Sequence, residues 1–254
     1  MVSTHAVIQV WRRNFLVWRK LAFPSLLGNV VDPVMALMAF GLGLGSMLPA
    51  VQGQPYLNYL AVGAVCISAM NAPTFESLYS AFSRMHTQKT WQAIMNTPVR
   101  LREVVLGECA WSASKGMIST GAMLMVVALL GIGDLGFWVF AWLLLWPACV
   151  MFSAMALCVN ARAPSYDFFM FYFTLVVTPM TFLSGAFFPR DQLPQWLETI
   201  ADPLPLSVLV DLLRGVYLKE FDNLLALLAQ IVVYMVVSVA VAVWLTERRF
   251  RLKG

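Results

Sequence analysis

Charge is scarce in this sequence. Lys, Arg, Asp and Glu make up 12% of its 254 residues, and apolar side chains make up 60%, whereas a soluble domain carries roughly 25% charged residues. With a mean hydropathy of +0.75, the chain cannot cover its surface with hydrated groups, which excludes an ordinary soluble domain. Histidine is nearly missing, and His5 and His86 both fall in polar segments. The cysteines Cys66, Cys109, Cys149 and Cys158 lie in or beside apolar stretches and form no CxxC pair. They read as small buried hydrophobes rather than metal ligands. The sequence has no GxxxxGK[ST] loop, HExxH, GxSxG or glycine-rich dinucleotide turn, so nothing assigns a catalytic residue, a metal or a cofactor to this chain. It also has no basic run interleaved with aromatics that would suit nucleic acid.

What is present is long apolar stretches. A membrane-crossing helix takes about 20 mostly apolar residues, and residues 26–48, 57–82, 104–130, 137–159, 168–188 and 224–246 each qualify. They are continuously apolar rather than alternating, which predicts helices and not barrel strands. The expected fold is therefore all-α: one transmembrane domain over 1–254 with six spans. No internal repeat or low-complexity tract interrupts it.

Residues 4–22 carry Arg12, Arg13, Arg19 and Lys20, so they form neither a span nor a signal core. On a helix, Val7, Trp11, Phe15, Trp18 and Ala22 share one face, as in an amphipathic helix lying in the membrane interface. Basic residues also flank the spans at Arg84, Lys89, Arg100, Arg102, Arg162, Arg248, Arg249, Arg251 and Lys253. The opposite side receives only Arg190, Arg214 and Lys219 among seven acids. The positive-inside rule then predicts both termini in the cytoplasm.

Two connections are longer than turns. Residues 87–96 predict a short cytoplasmic helix with Trp91, Ile94 and Met95 on its apolar side, stopped before Pro98. Residues 190–220 predict an external hairpin, re-entrant or interfacial, broken at Pro203 and Pro205, in which Asp211 and Arg214 are spaced to pair.

Ionisable groups at membrane depth cost at least about 2.5–3.5 kcal/mol each. Glu76 lies in the second span, and Glu108 and Lys115 lie two turns apart in the third with Ser112 between them. They form either a polar strip along a translocation path or a charge cluster tying helices together. Asp32 before Pro33 suits a helix cap. Gly41 and Gly45 make a small-xxx-small pair that permits close helix approach. The fifth span opens with aromatics, including Tyr166 and Tyr172, followed by hydroxyls at Thr174, Thr178, Thr181 and Ser184. That surface suits either sugar rings or plain packing.

The order of parts resembles the ABC-2 family of transporter permeases. The stretch FESLYSAFSRMHTQKTWQAIMNTPVRLREVVLGE resembles that family's signature loop, and LSGAFFPRDQLP resembles its C-terminal signature. AFGLGLG and APSYDFF look like the NodJ-like branch, whose permeases export nodulation factors. This resemblance implies a permease subunit in the bacterial inner membrane. It would work with a second permease copy and a NodI-like ATPase that holds the ATP and Mg. Its substrate would be a lipid-linked or acylated oligosaccharide of the lipo-chitooligosaccharide class, though relatives export hydrophobic drugs or other lipids. Carried over, 87–96 would be the coupling helix, with Lys89, Trp91, Ile94 and Met95 at the ATPase. Glu76, Glu108, Lys115, Tyr166, Tyr172 and Thr178 would be candidates along the substrate path. Spans one and five would border the dimer interface. A secondary transporter without ATPase is the competing class, but such proteins show inverted repeats and helices broken at mid-membrane.

Overall fold

A computed structural model describes residues 2–45, 50–51 and 53–251. Among them the architecture is helical, with one isolated bridge between Val51 and Gln54. The helices are α1 (Thr4–Trp18), α2 (Ala22–Ala36), α3 (Tyr56–Phe75), α4 (Thr90–Met95), α5 (Leu101–Leu129) and α6 (Leu135–Leu144). They continue with α7 (Trp146–Asn160), α8 (Asp167–Tyr172), α9 (Thr178–Leu183), α10 (Gln195–Ala201), α11 (Pro205–Leu218) and α12 (Leu224–Arg251).

Four helical runs among the described residues are long and apolar enough to cross a membrane: Thr4–Gly41, Leu101–Leu129, Gly136–Asn160 and Leu224–Arg251. The fifth expected span is the shorter run Asp167–Leu183. The second is interrupted in composition rather than in helicity. α3 continues through wide π turns at Glu76–Ser80 and Ser83–Thr87, where Glu76, Ser77, Ser80, Ser83 and Arg84 lower its apolarity. The expected fourth span is two helices joined at Leu145 and Trp146, with Pro147 in the first turn of α7 where its missing N–H costs nothing.

α3, α5 and α7 form the centre, and α11 and α12 pack against them. Tyr59, Leu60, Met70, Met123, Met151, Phe152, Leu209 and Leu213 fill one core. Leu78, Trp91, Val104, Ala154 and Phe169 fill a second, nearer the termini. The described residues near the two chain ends meet the start of α5. The backbone N–H of Ser3 donates to Glu103 at the start of α5 over 2.7 Å, and Arg102 pairs with Glu247 near the end of α12. The cysteines are free, with Cys66, Cys109 and Cys149 buried and Cys158 half-buried.

Several expectations change here. The first helix is no isolated interfacial element, because it runs on into α2 through one tight turn at Arg19–Leu21. Leu21 leaves the helical region there, with φ −122° and ψ 23°. The aromatic face of α1 is turned to protein: Trp11, Phe15 and Trp18 all pack edge-on against Trp111 of α5. Trp11 Nε1 donates to Ser114 Oγ over 3.0 Å. This docking depends on Gly107, where an added Cβ would lie 2.6 Å from Val10 Cβ and 3.1 Å from the carbonyl oxygen of Val7. Those atoms are backbone or branch point and cannot swing away. Gly107→Ala is therefore expected to lift α1 from α5 at a cost of about 1–3 kcal/mol. Faster trypsin cleavage after Arg12 or Arg13 would register it, and an unchanged rate would show that α1 is held elsewhere.

Asp32 does not stand at a helix start, because its backbone lies inside α2 with Pro33 beside it. Gly41 does permit a close approach, since a Cβ there would fall 2.3 Å from Leu57 Cδ1. Residues 46–48 of the first expected span lie outside the described residues. Asp211 and Arg214 do not pair. Asp211 accepts from Arg190 at 2.6 Å. Arg214 donates to the Gly185 carbonyl and lies 3.7 Å over the Tyr59 ring. Gly185 is at φ +80°, and this turn presents its carbonyl to both Arg214 and the Tyr59 hydroxyl.

Candidate functional site

The polar groups expected at membrane depth converge on one buried network near the termini. Glu76 stands at the first turn of the π segment that follows α3, and Arg84 stands in the second such segment. A π turn admits one extra residue per turn, re-aims the side chains after it and recurs at functional positions. Here it turns Glu76 and Arg84 toward α5. Arg84 Nε donates to both oxygens of Glu108, at 3.0 and 3.1 Å. Arg84 Nη2 bridges Glu108 Oε2 at 2.6 Å and Glu76 Oε1 at 2.9 Å. Lys115 Nζ reaches Glu76 Oε2 at 2.8 Å. Two tryptophans complete the set. Trp91 Nε1 of α4 donates to Glu108 Oε1 at 3.0 Å, and Trp111 Nε1 donates to Glu76 Oε1 at 2.8 Å.

Two carboxylates thus meet two cations, and each carboxylate oxygen accepts at least one bond. Glu108 is 1% exposed, Glu76 4% and Arg84 9%. Charges so far from water persist only when paired and hydrogen-bonded. Glu108 and Lys115 share a helix face as expected, but Lys115 bonds Glu76 and reaches Glu108 only through Arg84. Sequence reasoning missed Arg84, which it left among the loop cations, and Trp111, which looked like any membrane aromatic. The available signal for Arg84 was its place eight residues after Glu76 in an unbroken helical pattern.

Beside this network lies a cavity of about 470 Å³, lined by Arg13, Trp18, Ser25, Glu76, Tyr79, Arg84, Gln88, Trp111, Lys115 and Tyr166, among others. Its walls come from α1, α2, the continuation of α3, α5 and the turn before α8. Tyr166 stacks on Tyr79 and meets Phe82 edge-on. Arg13 reaches Asn14 and Thr90 rather than a carboxylate, at 3.0 and 3.4 Å. The cavity therefore combines aromatic faces, hydroxyls and a cationic excess. Of the expected path residues, Glu76, Lys115 and Tyr166 line it. Glu108 is sealed behind Arg84, Tyr172 packs among the core residues, and Thr178 is exposed on the outer face. The last two are not brought to this site.

The expected coupling helix forms at Thr90–Met95 after Lys89 in a left-handed conformation, φ 52°. Its orientation corrects one role. Trp91 is 1% exposed and points into the bundle, where it also stacks on Phe250. Ile94 and Met95 are half-buried, while Lys89, Gln92, Ala93 and Asn96 face outward. The apolar side of this helix is spent on its own chain, and its polar side is left open.

Helical runs long and apolar enough to cross a bilayer, with apolar outer faces and an ion network buried among them, describe a multi-pass membrane protein. The sequence profile of the ABC-2 type transporters matches residues 5–218, and this chain belongs to that family. It is similar to Nodulation protein J of Rhizobium leguminosarum bv. viciae, 42% identical over 243 residues, covering 95% of this chain and 94% of that protein. It is also similar to Nodulation protein J of Bradyrhizobium diazoefficiens, 42% identical over 241 residues, covering 94% and 92%. The Inner membrane transport permease YadH of Escherichia coli (strain K12) is 21% identical over 247 residues, covering 97% and 96%. The chain is thus a multi-pass membrane permease subunit of an ATP-binding cassette exporter, with ATP hydrolysis in a separate partner.

Proposed function

We propose that this permease exports an acylated oligosaccharide of the lipo-chitooligosaccharide, nodulation-factor class across the inner membrane. The observation that carries the reading is identity of about 42% across nearly the whole length of proteins named for nodulation. The cavity chemistry supports it. Trp18, Tyr79 and Tyr166 offer aromatic surface for sugar rings, and Ser25, Ser80, Ser83 and Gln88 offer hydrogen bonds. In the working protein six spans cross the bilayer, 190–220 forms a re-entrant hairpin on the external side, and both termini are cytoplasmic. Two copies assemble with a NodI-like ATPase that binds ATP and Mg. The direct test is uptake into inverted membrane vesicles holding this permease and its ATPase. ATP-dependent accumulation of a labelled lipo-chitooligosaccharide is expected, and accumulation of an unacylated chitooligosaccharide instead would overturn the reading.

The ATPase meets the open face of α4 formed by Lys89, Gln92, Ala93 and Asn96. From there Trp91 passes displacement to Glu108, Arg84 and Glu76, and so to the cavity wall at Lys115 and Trp111. Buried contacts at the centre of an interface dominate its energy. Ala93→Arg, which places a long charged side chain at the middle of that face, is expected to weaken ATPase co-purification about tenfold, or about 1.4 kcal/mol. The permease itself should stay folded, because Ala93 is exposed. Full retention of the ATPase would move the contact elsewhere.

A further inference from the structure

Near the end of α12, a second cavity of about 680 Å³ is lined by His86, Ala161, Arg162, Pro164, Leu245, Arg248 and Arg249. Three of these residues are arginines, and none is a carboxylate. The neighbouring acid, Glu247, is committed to Arg102 and Arg251. Arg249 is held in place, its Nη1 donating to the Asn160 carbonyl at 2.8 Å and its Nη2 to the Ala163 carbonyl at 2.9 Å. Arg162 and Arg248 are exposed. A concave site with three guanidinium groups, one of them held in place, and no carboxylate in its lining favours an oxyanion that accepts from several N–H groups at once.

The surroundings indicate where that oxyanion comes from. Along α12, Val233, Val237, Val241 and Trp244 are exposed and recur at spacings of four, four and three, so they form one apolar stripe. Arg248 continues the same face one turn on, its guanidinium 5.5 Å over the Trp244 ring. The opposite face of α12, with Ile231, Ser238, Ala242 and Leu245, is buried on the bundle. An exposed apolar stripe ending in Trp and then Arg is the pattern of a lipid-facing helix at headgroup depth. One wall of the cavity is thus the residue that closes the lipid-facing stripe.

We infer that this cavity is a binding site for the phosphoryl headgroup of an anionic phospholipid, with Arg162 and Arg248 contacting the phosphate and Arg249 fixing the wall behind it. In the orientation proposed above, the lipid belongs to the cytoplasmic leaflet. The inference does not depend on which substrate is exported. The site also touches the path, because the turn whose carbonyls Arg249 holds leads directly to Tyr166 in the first cavity. An occupied headgroup site would steady that turn through Arg249.

The test uses the full chain purified in a neutral detergent and titrated with short-chain phosphatidylglycerol, short-chain phosphatidylcholine or inorganic phosphate, read by native mass spectrometry. Phosphatidylglycerol is expected to bind and phosphatidylcholine to bind at least tenfold more weakly. An Arg162→Gln/Arg248→Gln variant is expected to lose phosphatidylglycerol affinity about tenfold. The equal-charge control Arg12→Gln/Lys20→Gln, at exposed positions outside the cavity, is expected to keep it. If the double Gln variant cannot be recovered folded, Arg248→Gln alone gives the reading, with a loss of threefold or more expected. Equal binding of the two lipids, or unchanged affinity in the cavity variants, overturns the site. Inorganic phosphate binding as tightly as phosphatidylglycerol overturns its assignment to a lipid. Loss of the ATPase from the cavity variants with phosphatidylglycerol binding intact makes the patch a protein contact instead and equally overturns the proposal.

Discussion

Arg84→Met is expected to destabilise the protein by about 3–5 kcal/mol, the range seen when one member of a buried ion pair is removed. Arg84 is the shared cation of Glu76 and Glu108. Without it two carboxylates remain beside one lysine, and Lys115 reaches only Glu76. Glu108 would keep just the indole N–H of Trp91, too little to hold a charge away from water. The loss comes from the uncompensated carboxylate more than from missing contact area, because Met fills much of the same volume. Adding Glu108→Gln should therefore recover much of the damage: the network returns to one acid and one base, and the amide oxygen still accepts from Trp91. The measurement is the thermal unfolding midpoint in detergent for the two single variants and the double, closed as a cycle. A double variant no more stable than Arg84→Met would mean that the arginine acts through packing and that charge balance is not what the network maintains. Arg84→Lys separates geometry from charge, since an ammonium cannot reproduce the two-pronged contact with Glu108 while also reaching Glu76. It should fall between wild type and Arg84→Met.

Which parts were legible in the sequence follows from the kind of signal each part leaves. The third and sixth expected spans are long and free of internal breaks, and helices Leu101–Leu129 and Leu224–Arg251 appear close to the expected ranges. Capping at Asp32 failed because a proline preceded by an acid also occurs inside a helix that has neighbours to support it, and α2 is such a helix. The lipid-facing assignment of α1 failed for a reason of pattern. An amphipathic face reads the same whether it meets acyl chains or another helix. What decides is Gly107 on the far partner, a small residue one hundred positions away. The ion network was half visible, since Glu76, Glu108 and Lys115 are costly residues in an apolar context. Arg84 was hidden by the assumption that the second span ends near Phe82. The π turns carry the helix on to Thr87 and so bring a nominal loop cation into the core. The basic cavity near α12 was hidden as well, because Arg162, Arg248 and Arg249 looked like flanking charges whose only meaning was orientation.

Trp91 separates docking of the motor from transmission of its work. Its ring is buried on the bundle side of α4, stacked on Phe250, and its N–H bonds Glu108. The outward face of the helix is made by other residues. Two substitutions therefore have different expected results. Trp91→Ala removes the whole side chain, a cavity-forming change of about 3–5 kcal/mol in a protein core. A six-residue helix cannot hold itself together without tertiary packing, so α4 detaches, and both ATPase binding and export are lost. Trp91→Phe keeps most of the ring and the outward surface but deletes the donor to Glu108, a bond to a charged group worth about 1.5–3 kcal/mol. ATPase co-purification should stay within about twofold of wild type, a change of under 0.5 kcal/mol. Substrate exported per ATP hydrolysed should fall by fivefold or more, because α4 can then move without carrying Glu108 and Arg84 with it. The assay is vesicle export and ATP hydrolysis measured together at equal permease abundance. A Trp91→Phe variant that exports with wild-type economy would show that the indole bond is structural only and that coupling runs through the packing of Ile94 and Met95. One that loses the ATPase as fully as Ala93→Arg would show that the buried face of α4 is itself part of the docking surface.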